Sequence, residues 1–221
     1  MEYIAQIKLN DEVIDGLCSF FKGANLILNN ESEIATLYSY LLLQATGIER
    51  LQKIVYILEY FKANGTHITD SELRKNLGHG ILNIHQQYLS HYFDTSDSIY
   101  YEKALQLLTE LVNVKNGYRY ANFNLYNDEQ FSVYDHIVKL LKLDGIDYSN
   151  INDIIKVSWE IMDLILKKYI SVLVNLIWHK KVGNGEVIPV CLKDYVLNGW
   201  QEMNLKTKIT EHLNKAREQK R

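Results

Sequence analysis

Apolar residues recur along this chain mostly at three- and four-residue intervals, the spacing of helices that bury one face. From Glu12 to Leu28 they fall at Val13, Ile14, Leu17, Phe20, Phe21 and Ala24, with Asp11 standing where a helix cap would. A longer stripe follows at Ile34, Leu37, Tyr38, Leu41, Leu42, Ala45, Ile48, Leu51, Ile54, Val55, Leu58 and Phe61. It predicts about eight turns of helix, stopped by Asn64 and Gly65. Within it, Gly47 would bend the axis or let a neighbour approach closely. A third helix is expected over much of Ser71 to Tyr92, with Leu73, Leu77, Ile81, Ile84, Tyr88 and Leu89 facing inward. Its boundary is open where Gly78 and Gly80 flank His79. A fourth covers Ile99 to Val112, apolar at Ala104, Leu105, Leu108, Leu111 and Val112.

The period then changes. The segment GYRYANFNLYND, from Gly117, alternates in part and reads as a short strand or a tight loop. Helical spacing resumes over Phe131 to Leu143 and more strongly from Ile151 to Trp178. Gly183 to Gly185 mark a break, Val187 to Cys191 a short strand whose Pro189 suits no helix, and a last polar helix is expected from Gln201 to the end. These elements predict an all-α fold: an up-and-down bundle of about six or seven helices with one or two short irregular or strand-like inserts, one domain over residues 1–221.

Composition narrows the class. Hydrophobic residues are 47% and charged residues 23% of the chain, enough for a buried core and too apolar for disorder. The oily run Ile161 to Trp178 is interrupted by Asp163, Lys167, Lys168 and Asn175, so it reads as a core or interface helix and not as a membrane span. The opening MEYIAQIKLNDE lacks the basic start and apolar block of a signal peptide. Cys18 and Cys191 follow no metal or redox spacing and read as buried reduced thiols in a reducing compartment, so a cytoplasmic protein is expected. A net charge of −3 argues against a general coat for nucleic acid but leaves room for a local basic pocket. Sixteen tyrosines supply ring faces with polar tips, suited to a helical core, a partner surface or a base-stacking site.

Chemistry concentrates in SELRKNLGHGILNIHQQ, Ser71 to Gln87, which holds Arg74, Lys75, Asn76, His79, Asn83 and His85. Histidine moves protons near neutral pH, and arginine or lysine neutralises phosphate. Those are the groups a metal-independent ribonuclease needs as the 2′ hydroxyl attacks the adjacent phosphorus. In one regular helix Arg74 and His79 would stand about 140° apart, while Lys75, His79 and Asn83 would share a face. A site built here therefore needs a break at the glycines or a second copy across a two-fold interface. The same polar residues equally suit the solvated side of an amphipathic helix. His85 and His91, six residues apart, have no metal-ligand spacing, and no phosphate loop, nucleophile elbow or zinc-finger pattern occurs, so neither metal nor cofactor is expected. The tail from Lys206 carries six basic residues against Glu211 and Glu218, a guide for RNA or simply a soluble terminal helix.

An arginine, four residues and a histidine after a long apolar helix resembles the HEPN domain superfamily; here the match is Arg74, KNLG, His79. LLLQATGIERLQKI (Leu41 to Ile54) looks like that family's preceding helix, LGHGILNIH like its "GH" segment, and GYRY, with Arg119 and Tyr120, like a later element of some members. The resemblance covers roughly residues 31–126, leaving the remainder as a helical extension. It implies a small helical bundle acting as an endoribonuclease on RNA, with paired motifs meeting at a homodimer interface. Arg74 would steady the phosphate, His79 assist proton transfer, Asn76 orient the site, and Lys75 and Asn83 contact substrate. Phage defence, toxin–antitoxin pairing and RNA processing are the settings the family implies. The chain departs from it at Lys75, where active members often carry Asn, Asp or His. That departure supports the alternative, a non-catalytic member acting through a protein partner, such as an antitoxin, or an RNA partner. His67 is a candidate to approach the site from its loop, and Glu49 and Arg50 are candidates to pair with the motif and fix the histidine tautomer.

Overall fold

The computed structural model describes residues 1–29, 34–112, 151–187 and 203–218. Among them the chain forms an all-α, up-and-down bundle of seven α-helices with no β-strand. These are α1 (Tyr3–Asn29), α2 (Ile34–Asn64), α3 (Asp70–Leu77), α4 (Ile81–Ile84), α5 (Ser98–Val112), α6 (Ile151–Trp178) and α7 (Leu205–Glu218). A π-helical turn, His85–Leu89, continues α4, and short 3-10 turns follow at Ser90–Tyr92 and Thr95–Asp97. The GYRY segment and the expected Phe131 to Leu143 helix lie outside the described residues, as does the Val187 to Cys191 strand apart from Val187, which is buried and in no regular element.

The first helix begins well before Asp11, which is therefore no cap. Leu9 is buried in the same stripe as Val13, Leu17, Phe20 and Ala24, so the buried face extends one turn upstream of Val13. Helix α1 lies antiparallel on α2, Gly16 facing Gly47 and Gly23 facing Tyr40. The expected close approach at Gly47 is real. A Cβ there would stand 2.6 Å from the Gly16 carbonyl oxygen and 3.1 Å from the Phe20 backbone nitrogen. Gln44, fully buried, donates from Nε2 to the Phe20 carbonyl at 2.8 Å, and Arg50 reaches Glu12 and Asp15, each at 3.0 Å. Helix α2 stops where expected, with Gly65 at φ 69° donating its N–H to the Phe61 carbonyl.

Helix α6 runs through the centre, in the same direction as α2, as alternate members of such a bundle do. Tyr40 stacks on Trp159, Gln52 Nε2 donates to the Tyr169 hydroxyl at 2.7 Å, and Lys62 reaches the Lys181 carbonyl. Three of the four polar interruptions in α6 have charged partners. Buried Lys168 pairs with buried Asp97 and donates to the Met203 carbonyl, which ties α6 to the turn before α5 and to the approach of α7. Asp163 pairs with Lys167. Among the described residues no helix is long and apolar enough to cross a membrane.

Candidate functional site

The expected third helix is two helices. Thr69 opens α3 with a capping box: its hydroxyl accepts from the Glu72 N–H at 3.2 Å, and the Glu72 carboxylate accepts from the Thr69 N–H at 3.0 Å. The Thr69 N–H and hydroxyl, both donating to it, hold the Glu72 carboxyl below its usual range. The helix ends at Leu77, which is buried. Gly78 then takes φ 53° and ψ −135°, a conformation that an L side chain resists, and returns its N–H to the Arg74 carbonyl. Helix α4 starts two residues later. Because Leu73, Leu77, Ile81 and Ile84 stay inward across the break, the apolar spacing alone reads as continuous. The face shared by Lys75, His79 and Asn83 in an unbroken helix therefore does not exist; the chain has the glycine break instead.

His79 sits in that break, between two helices, with 70% of its side chain exposed. Its Nδ1 lies 2.9 Å from Glu49 Oε1 on α2, and the same carboxylate oxygen takes the Lys53 ammonium at 2.5 Å. An ionised carboxylate only accepts, so Nδ1 carries the hydrogen and Nε2 is the nitrogen free to take or give a proton. Of the two expected partners on α2, Glu49 orients the ring, whereas Arg50 is engaged with Glu12 and Asp15. His67 packs tilted against Phe61 with ring centroids 5.0 Å apart, and no hydrogen bond joins it to His79 among the described residues.

The remaining candidates separate. Arg74 is exposed and forms no ion pair among the described residues, leaving its guanidinium donors open to an anion. Asn76, two residues on and so about 200° around the axis, donates from Nδ2 to the Tyr56 hydroxyl on α2 at 3.1 Å. Lys75 is exposed beside Glu72, and Asn83 accepts from Gln87. No hydrogen bond or ion pair joins Arg74, Asn76 and His79 to one another among the described residues. Lys53 and Tyr56 are the site residues that sequence reasoning missed. The Glu49–Lys53 spacing of four was a legible helix ion pair, but nothing in the sequence says that His79 folds over it.

His85, by contrast, is structural. It is buried against Phe93 and Tyr169 and bonded through Nδ1 to the Tyr169 hydroxyl at 3.1 Å. Burial pushes its pKa down to about 4. A separate cavity of about 220 Å³ is lined by Tyr92, Asp94, Tyr101, Lys168, Asn175 and Lys181, among others, and none of the motif residues reaches it. Among the described residues no group of three or more His, Cys, Asp and Glu side chains is arranged to hold a metal ion.

No family model, no curated protein and no solved structure matches the chain.

Proposed function

We propose that this protein is a metal-independent endoribonuclease of the HEPN kind, with a composite site formed where two copies of the chain bring Arg74 and His79 into one cleft. The observation that carries the reading is the anchoring of His79. A largely exposed imidazole is held at Nδ1 by Glu49, and Nε2 makes no hydrogen bond among the described residues, the arrangement a general base requires.

The reaction follows from these groups. Nε2 of His79 takes the proton of a 2′ hydroxyl as that oxygen attacks the adjacent phosphorus. Arg74 of the partner subunit neutralises the charge that builds on the phosphoryl oxygens. The P–O5′ bond breaks, the 5′ oxygen takes a proton from the partner's His79, and the products are a 2′,3′-cyclic phosphate and a 5′ hydroxyl. Asn76 supports the site at one remove by fixing the Tyr56 hydroxyl, and Lys75 adds positive charge along α3. A cytoplasmic toxin or phage-defence role, with an antitoxin as protein partner, belongs to the same proposal.

A second reading has its own observation. Arg74 and Asn76 diverge around α3, and Lys75 stands between them, which suits a non-catalytic protein that binds a partner through this face.

Incubation of wild type and His79→Ala with mixed single-stranded and structured RNAs, chelator present, decides between them. The wild type is expected to yield fragments ending in 2′,3′-cyclic phosphate, and loss of the general base to slow cleavage by about 100-fold or more. Equal cleavage by both proteins overturns the ribonuclease reading, and a stable complex without turnover favours the second.

A further inference from the structure

One face of α2 carries more than the anchor of His79. At 100° per residue, Glu49, Lys53, Tyr56 and Tyr60 fall within about 60° of one another. Tyr56 and Tyr60 stand about 10 Å and about 16 Å along the axis from Glu49. The Tyr56 ring meets Tyr88 edge-on with centroids 4.8 Å apart, and Tyr60 lies 6.5 Å beyond, tilted by 39°. All three tyrosines are half-buried, so each ring is packed in part and open to solvent in part. Tyr56 is held from two sides, by Tyr88 and by the Asn76 amide on its hydroxyl. The row is therefore pre-formed. It lies along α2 from Glu49, the residue that holds the His79 imidazole, with Lys53 on the same face and exposed Lys75 on the neighbouring helix.

Rings in a row, flanked by cations and continuous with a proton-transfer group, match the chemistry of unpaired nucleobases on a phosphate backbone. Stacking of a base on an aromatic side chain needs a free π-face and tolerates any base, and nearby ammonium groups follow the phosphates. Bases inside a duplex are already stacked on each other and offer no such face. We propose that Tyr88, Tyr56 and Tyr60 form a stacking track for single-stranded RNA, holding the nucleotides next to the bond presented to His79. This names the substrate class of the ribonuclease reading and rests on it for the choice of RNA.

The test is binding, kept apart from cleavage. In the His79→Ala protein, fluorescence anisotropy with labelled single-stranded oligoribonucleotides and with the matching duplex gives the two affinities. Tyr60→Leu, which keeps apolar bulk but no π-face, is expected to weaken single-strand binding about 5- to 100-fold and to leave the weaker duplex binding unchanged. Tyr60→Phe is expected to bind as the parent does. Tyr88→Leu carries the same expectation as Tyr60→Leu, and unaltered circular dichroism shows that each variant is folded. Single-strand affinity unchanged in both leucine variants overturns the track, and so does a parent that binds no RNA or binds duplex equally well. A selective loss in the leucine variants while the wild type cleaves nothing supports the track and sinks the ribonuclease reading alone.

Discussion

Replacing His85 tests whether the polar centre of the bundle is built around a neutral imidazole. The side chain is 2% exposed, with Phe93, Tyr169 and Tyr101 rings at 4.9, 5.4 and 6.4 Å. The Tyr169 hydroxyl accepts from Gln52 and lies 3.1 Å from His85 Nδ1, so a neutral imidazole has a hydrogen-bond partner in this otherwise aromatic setting. Burial lowers the folded-state pKa from 6.5 to about 4. As pH falls, the unfolded chain therefore binds the proton first and the folded state loses stability, from about pH 6.5 down to about pH 4. Those two values give a loss of about 2 kcal/mol between about pH 7 and about pH 5 from this one residue. Asp163 works in the opposite sense, because burial raises its folded pKa above 3.8 and its stability contribution therefore falls as pH rises. The comparison must accordingly be between proteins and not between pH values alone. His85→Asn keeps an acceptor near the Nδ1 position but does not titrate. Urea midpoints followed by circular dichroism are expected to show a smaller acid-induced loss in the variant by about 2 kcal/mol, on a lower overall stability. Equal losses in both proteins would refute a buried neutral His85.

Two further substitutions probe the frame that holds the site. Gly47→Ala puts a methyl 2.6 Å from the Gly16 carbonyl, a backbone atom that moves only with its helix, and is expected to destabilise by about 1–3 kcal/mol in urea titrations; an unchanged midpoint would mean that the α1–α2 contact is loose. Lys168→Met leaves Asp97 buried without its cation and is expected to lose about 3–5 kcal/mol. Adding Asp97→Asn is expected to recover most of that loss, and a double variant as unstable as the single one would show that the charge was not the cause.

Much of the fold was legible because a helix on a bundle surface advertises its buried face. Leu41, Ile48, Leu51, Val55 and Leu58 announce α2, and Gly65 announces its end. The same rule is silent on the break at Gly78, which only the two glycines flanking His79 hinted at. Leu73, Leu77, Ile81 and Ile84 keep helical spacing because they pack on the same neighbours, whatever the backbone does between them. Polar residues in the core were harder still. Lys168 reads as an interruption of an apolar stripe and Gln52 drew no reading, yet both are buried, and their partners Asp97 and Tyr169 lie 71 and 117 residues away. Pairing at that range is set by tertiary packing and leaves no local trace.

The candidate site shows the same limit and turns it into a demand on quaternary structure. Spacing treats Arg74 and His79 as a unit, but the backbone does not: Arg74 stands exposed on α3, while His79 is turned at the glycine break onto Glu49 of α2. Within one chain His79 has its orienting carboxylate and a lysine beside it, and no contact with the arginine. Under the proposal, a two-fold pair of chains would supply the missing cation, the exposed Arg74 of each copy facing the other's imidazole. Oligomeric state is therefore the property on which the ribonuclease proposal stands. A dimer that cleaves RNA, with Arg74→Ala and His79→Ala subunits restoring part of the activity when mixed, would place the two groups on opposite chains. A strictly monomeric protein that cleaves equally well would remove the need for the pair and shift the phosphate-binding role to Lys53, already beside His79.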